Sequence, residues 1–263
     1  MRTKGKRLLI VLCVVLILVI GLLCAEPILK IYRDVSFYWT EHTETEIRVK
    51  EYADAHGLSY GDYPESLIAL LERNPETEAF VLEYPLYEKE HYDLSDFEGS
   101  KAVPLFLQWD QRWGYEKYGS DVIGITGCGP TCLAMVGYHL TGDDYYTPEN
   151  MAAFAEMNGY YASGYGSSWT LISEGAVTLG FDVTEIPLVK KRITDNLEVG
   201  NPIILAMGKG DFTTTGHYIV LTGLQDGRFT VNDPNSVENS NKLWSYEQIE
   251  SQIRNLWVIR YFG

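Results

Sequence analysis

Three regimes of hydrophobic patterning follow one another along the chain. Residues 8–25, LLIVLCVVLILVIGLLCA, run for 18 positions without a charge or a strong breaker. As a helix at 1.5 Å per residue such a run reaches roughly 27 Å, close to the hydrocarbon thickness of a bilayer. From residue 26 to 60 the pattern is mixed, polar and aromatic, and EHTETEIRVKEYADAHG predicts a helix closed by Gly57. In DYPESLIALLERNPETEAFVLEYP, Pro64 suits a first helical turn, and Leu67, Ile68, Leu70 and Leu71 share one face. Asn74-Pro75 ends this helix and starts another, which carries Phe80, Val81 and Tyr84. Helices this short need a larger body against which to bury their faces. Residues 26–100 therefore read as a helical stalk or brace, with EKEHYDLSDFEGSK (88–101) as its linker.

From Val103 the pattern changes again. VPLFLQWDQRWG predicts an extended segment laid on a core. GPTCLAMVGYHLTG reads as a buried helix with Gly142 beyond its end, and TPENMAAFAEMNG as a helix capped by Thr147 and stopped by Gly159. SSWTLISEGAVTLG gives a third helix, FDVTEIPL a strand, KKRITDNLEVG a short helix and NPIILAMG a strand. HYIVLTGLQDGRFTVNDP is the clearest hairpin, turning about Asp226-Gly227. SYEQ is a capping box that opens a last helix, and LWVIRYF is the closing strand. Helices followed by an antiparallel sheet make the class α+β, with residues 101–263 as the main domain.

Charge sharpens the reading of the first regime. MRTKGKR carries four positive charges and no negative one. A basic flank stays in the cytoplasm, so the run is read as an uncleaved signal-anchor helix over 1–25, single-pass, with the remainder outside. A cleaved signal peptide is the rival, but the run is long for an h-region and LLCAEP is a poor cleavage site. Setting those four charges aside leaves 17 Lys and Arg against 36 Asp and Glu. A surface this acidic repels phosphate backbones, which argues against a nucleic-acid partner.

Beyond Cys13 and Cys24 in the apolar run, the only cysteines are Cys128 and Cys132. At i and i+4 on one helix their side chains are poorly placed for a disulfide. Zinc would need two further ligands, and no His or Cys pair has finger spacing. No metal or cofactor is expected. Cys128 instead sits between Gly127 and Gly129, two residues before a Pro that fixes φ for a helix start. There the positive end of the helix dipole favours a thiolate, and free backbone N–H groups suit an oxyanion. Cys132, one turn further in, reads as a small buried apolar residue.

A thiolate nucleophile wants a base, and the base an orienting group. Of five histidines, His42, His56 and His91 fall in the stalk or linker, and His139 ends the Cys128 helix, about 16 Å from its start by helical rise. His217 opens the hairpin. If the loop is Gln225-Asp226-Gly227, paired residue numbers sum to 452, His217 lies opposite Asn235, and Asp233 is its diagonal neighbour. If the loop is Asp226-Gly227 alone, that face shows Asn232 instead. The orienting residue is thus Asp233, which the first register favours, Asn232 or Asn235.

GCGPTCLAMV, GHYIVLTG and VNDPNS, in that order, resemble the bacterial cysteine peptidases of the bacteriocin-processing, double-glycine-leader family, and LQWDQRWG and LLERNPETEAFVLEYP resemble its stand-alone, transporter-free branch. The resemblance covers roughly residues 60–263. It implies a papain-like fold and a Cys, His, Asp order, with Cys128 as nucleophile, His217 as base and Asp233 as orienting residue. It also implies an upstream Gln as oxyanion donor, for which Gln108 is the match and Gln111 stands behind it. Transporter-linked members place that Gln about six residues before the Cys, where this chain has Val122. Trp169 and Tyr165 are candidates for a substrate cleft. The expected activity is extracytoplasmic hydrolysis of a peptide or protein substrate. A cell-wall amidase or endopeptidase and a catalytically silent peptide-binding domain are the alternatives.

Overall fold

The computed structural model describes residues 25–164 and 166–263. Among these no helix is long and apolar enough to cross a membrane. The run of residues 8–25 that was read as an anchor lies, but for its last residue, outside the described residues, as does Tyr165.

The chain forms two compact units, one ending at Leu86 and the other spanning Tyr87–Gly263. The first contains helix α1 over 25–36, α2 (Glu44–His56), α3 (Glu65–Arg73) and α4 (Glu78–Leu82). Thr43 and Glu46 form a reciprocal capping box at the start of α2, and Gly57 closes it in the left-handed region at φ 69°. Val49, Ala53, Leu67, Leu71, Phe80 and Val81 make its core. The hydroxyl of the fully buried Tyr63 donates to Leu82 O at 2.9 Å. Helix α1 stands where sequence patterning showed only a mixed segment.

The second unit is built on a six-stranded antiparallel sheet: β1 (Asp182–Glu185), β2 (Ile203–Met207), β3 (His217–Gln225), β4 (Arg228–Asn232), β5 (Leu243–Trp244) and β6 (Ile253–Arg260), in the order β1-β6-β2-β3-β4-β5. Strand alternation splits its side chains between two cores. Ile204, Ala206, Tyr218, Val220, Trp257 and Ile259 join the core that contains α5 (Cys128–Thr141) and α6 (Pro148–Met157). Ile203, Leu205, Ile219, Leu221, Val231 and Val258 join another with α7 (Lys190–Glu198). The third predicted helix begins as a π-helical turn, Leu171–Gly175, before one α turn, Ala176–Thr178.

Residues 88–101, read from the sequence as a linker, belong to this second unit. Leu94 is buried in the same core as Phe106 and Trp113, Tyr92 packs edge-on against Trp113, and Lys89 pairs with Glu116 at 3.0 Å and Glu149 at 2.6 Å.

Candidate active site

Cys128 is the first residue of α5, and no side chain caps that end. The glycines beside it serve a purpose other than positive φ. Gly127 has φ −91°, but a Cβ there would fall 2.5 Å from Ile123 O and Cγ2. A Cβ on Gly129 would fall 2.7 Å from Ser167 Oγ. The chain needs both glycines so that the preceding turn and the short ladder Tyr161–Ala162/Gly166–Ser167 can press against the helix start. Thr131 then ties the first turn through its hydroxyl, which donates to Gly127 O at 2.8 Å.

His217 begins β3 and is 9% exposed. Its Nε2 lies 2.7 Å from Asp233 Oδ1. Cys128 is near enough to act on the ring, and with Nε2 taken by Asp233, Nδ1 is the nitrogen left to meet the sulfur. Burial alone would pull the imidazole below its ordinary value. The Asp233 carboxylate, by charge and hydrogen bond, and Cys128 beside it outweigh this and push it up to about 10. The carboxylate therefore favours the protonated ring.

Asp233 is 1% exposed, and both its oxygens are held. Oδ1 also accepts from the Asn235 N–H at 2.9 Å, and Oδ2 from the Asn239 amide at 2.9 Å. Its own N–H donates to Ser240 Oγ at 2.9 Å. The turn Val237–Ser240, capped by Ser236, brings these partners back. Asn239 and Ser240 were not singled out in the sequence. Their signal was present in NSVENS, where a Ser precedes a helical turn by one residue.

The other candidates fall into distinct places. Asn232 donates to Val103 O at 3.0 Å and Pro104 O at 2.8 Å, so it anchors the extended segment and not the imidazole. Asn235 supports Asp233 through its backbone, and its carbonyl accepts from Trp109 Nε1 at 3.1 Å. Gln108 is buried, with its N–H on Pro234 O at 2.7 Å and its side-chain NH2 on Gly124 O at 2.9 Å. One amide hydrogen remains after that bond, and the buried Oε1 has no hydrogen-bond partner among the described residues. Gln111 is exposed. Trp169 is half exposed and meets Trp257 edge-on. Burial holds the His139 imidazole below its usual value, with the Ala102 backbone acting the other way.

Cys132 is fully buried, and burial, with Cys128 and Asp233 nearby, raises its thiol well above the usual range. Tyr118 donates or accepts at Ser167 Oγ (2.7 Å), and Tyr218 donates to Ser167 O (3.3 Å). Burial raises both phenols, and the proximity of Cys128 adds to it. Neither tyrosine had been picked out, because each reads as an ordinary core aromatic. Among the described residues no group of three His, Cys, Asp or Glu is arranged to hold a metal ion.

The residues that build this site fall within one match to a known family. The profile described as Peptidase_C39 like family covers residues 100–262. Nothing among curated proteins matches. Similar solved structures include the peptidase domain of Streptococcus ComA, a bifunctional transporter, at 24% identity, with 61% of this chain and 99% of that one covered and a TM-score of 0.43. A C39-like peptidase from Bacillus anthracis is 13% identical, with 66% and 100% covered and a TM-score of 0.42. A double-glycine-motif protease from an AMS/PCAT transporter, solved with its leader peptide, is 14% identical, with 61% and 94% covered and a TM-score of 0.39. The match over more than half of the chain, carrying Cys128, His217 and Asp233 within it, assigns the protein to the Peptidase_C39 like family of cysteine peptidases.

Proposed function

We propose that the protein hydrolyses peptide bonds of a peptide or protein substrate through a Cys128–His217–Asp233 triad, anchored in a membrane by residues 1–25 with its peptidase unit outside the cytoplasm. The observation that carries the triad is the buried 2.7 Å contact of His217 Nε2 with Asp233, which leaves Nδ1 for the sulfur at the head of α5. The anchor rests on the basic flank and the 18-residue uncharged run.

In this mechanism the proton shared by Cys128 and His217 resides on the ring, and the thiolate attacks the carbonyl carbon. Negative charge moves to the carbonyl oxygen, where N–H groups at the start of α5 and the remaining amide hydrogen of Gln108 receive it. The imidazolium then gives its proton to the departing amine, and a thioester remains. His217, now neutral, takes a proton from water as its oxygen attacks the thioester. The carboxylic acid leaves and the thiolate returns. Asp233 holds the ring so that Nδ1 faces sulfur throughout.

Proteome-wide capture of new N-termini, comparing wild type with Cys128→Ala, tests the reading. Expected are cleavages that need Cys128 and disappear equally with His217→Ala. Identical N-terminal profiles for the two chains, with wild-type Cys128 alkylating no faster below pH 7 than an ordinary thiol, would overturn it.

A further inference from the structure

Helix α1 over 25–36 is amphipathic in the inverted sense. Its charged residues turn toward its own unit. Lys30 Nζ lies 2.9 Å from Asp62 Oδ1, and Arg33 donates to Tyr63 O at 2.7 Å. The Asp34 carboxylate accepts from Ser59 Oγ at 2.8 Å and Tyr60 N at 3.1 Å. Gly61 packs so closely beneath this face that a Cβ there would fall 2.5 Å from Lys30 O. The orientation of the helix is therefore fixed by ion pairs and by backbone contact.

At about 100° per residue the opposite side collects Ile28, Ile31, Tyr32 and Val35 into one stripe. Their exposures are 63%, 65%, 67% and 57%, and Trp39, just past the helix, is 84% exposed. Tyr38 beside it is held out by Lys50, whose Nζ donates to the phenol at 3.3 Å and stands 5.2 Å over the ring. A contiguous apolar stripe on a helix whose polar side is already used calls for a cover.

The chain itself points to the cover. The 18-residue uncharged run ends at residue 25, where this helix begins to be described. Tyr32, Tyr38 and Trp39 are the residue types that settle at the headgroup level of a bilayer. Lys30 is paired with Asp62 and Arg33 with the Tyr63 carbonyl, so neither cation is spare for anionic lipid. We propose that residues 28–39 lie along the membrane surface, with this stripe in the headgroup–acyl boundary as a second attachment beside the anchor. The proposal rests on the anchored reading above.

The test uses the full chain in phosphatidylcholine vesicles, with tryptophan emission measured in plain and in brominated-acyl lipid. Wild type is expected to lose the part of its emission that Trp39→Phe lacks, and Trp39→Phe to lose none. Ile31→Gln combined with Val35→Gln is expected to stay with the vesicles and abolish the Trp39 quenching. Adding anionic lipid is expected to leave the quenching unchanged. A chain that sediments with vesicles while Trp39 is untouched by brominated lipid overturns the stripe alone. A Trp39 shielded from iodide but not quenched by brominated lipid, in a chain that light scattering finds dimeric, overturns it in favour of a second copy. A chain that does not sediment with vesicles overturns the anchor and the stripe together.

Discussion

Asp233→Asn removes a charge and little else. The carboxylate accepts from His217 Nε2, Asn235 N and Asn239 Nδ2. An amide keeps the first two bonds by pointing its oxygen the same way. Its NH2 then faces Asn239, whose own amide turns over to offer oxygen. The ring keeps its place, and what is lost is the negative charge. In the wild type that charge, with Cys128, overcomes burial and lifts His217 from an ordinary 6.5 to about 10. The whole rise corresponds to about 5 kcal/mol at roughly 1.4 kcal/mol per pKa unit and is shared between Asp233, the larger contributor, and Cys128; without the Asp233 share, burial pulls the ring back down. The variant's ring therefore rests as neutral imidazole, with no positive charge to offer the sulfur. An unassisted thiol with the free-cysteine value of about 8.5 is thiolate to roughly 0.3% at pH 6. Iodoacetamide alkylation of Cys128 at pH 6 should thus slow by roughly two orders of magnitude, with Cys128→Ala as the blank for other thiols. Turnover of any substrate should fall at least as far. A folded variant that alkylates at pH 6 within a few-fold of wild type would refute the reasoning, because the Asp233 charge would then not be what keeps the proton on His217.

Gly129→Ala should destabilise by about 1–3 kcal/mol in urea titrations, since its Cβ would fall 2.7 Å from Ser167 Oγ, although Ala is the better helix former; a gain in stability would contradict the packing. Cys132→Ala should keep rapid alkylation of Cys128 and full turnover while costing about 1 kcal/mol in thermal unfolding, because Cys132 is fully buried packing; loss of turnover in a folded variant would contradict this. Stability should decline as pH rises from about 7 to 10, because His217 and Cys132 both hold their protons more tightly folded than unfolded. Their contribution is complete below the unfolded values of about 6.5 and 8.5 and is lost as pH climbs through the raised folded ones, so His217→Gln should flatten the first part of the urea-midpoint profile.

Helix ends were the most legible part of the fold. Gly57, Gly142 and Thr147 announce their caps by residue type alone, and each terminates or starts a helix as that type demands. Cys128 was legible for the same reason. Helix α1 was not, because Lys30, Arg33 and Asp34 are satisfied by Asp62, Tyr63, Ser59 and Tyr60, about 30 residues on, and the apolar side is exposed among the described residues. Residues 88–101 look like a linker because they are charged, yet Leu94 is buried in the core and Tyr92 and Phe97 pack against it, which seats the segment. The glycines beside Cys128 suggested backbone freedom, whereas their φ values are ordinary and what they provide is space.

The hairpin brings Asp233 to His217 by a turn other than the one its spacing suggested. The reading that favoured Asp233 assumed a three-residue loop, but the chain closes through two residues, Asp226 (φ 52°) and Gly227 (φ 71°), with Gln225 opposite Arg228. That register by itself would have shown Asn232 to the histidine. A bulge then takes Thr222 out of the ladder, so that Gly223 pairs with Thr230 but Leu221 with Val231, and from there the pairs again sum to 452. The apolar residues decide this. Leu221, Phe229 and Val231 all belong to the core beneath α7, and Leu224 packs on it too. Leu221 and Leu224 are three apart and cannot share a face of a regular strand. One residue must leave the alternation between them, and its departure turns Asn232 toward Val103 and Pro104 and frees Asp233 for His217. The odd spacing of those two leucines was in the sequence, and it carries the choice of the orienting residue more firmly than the loop does.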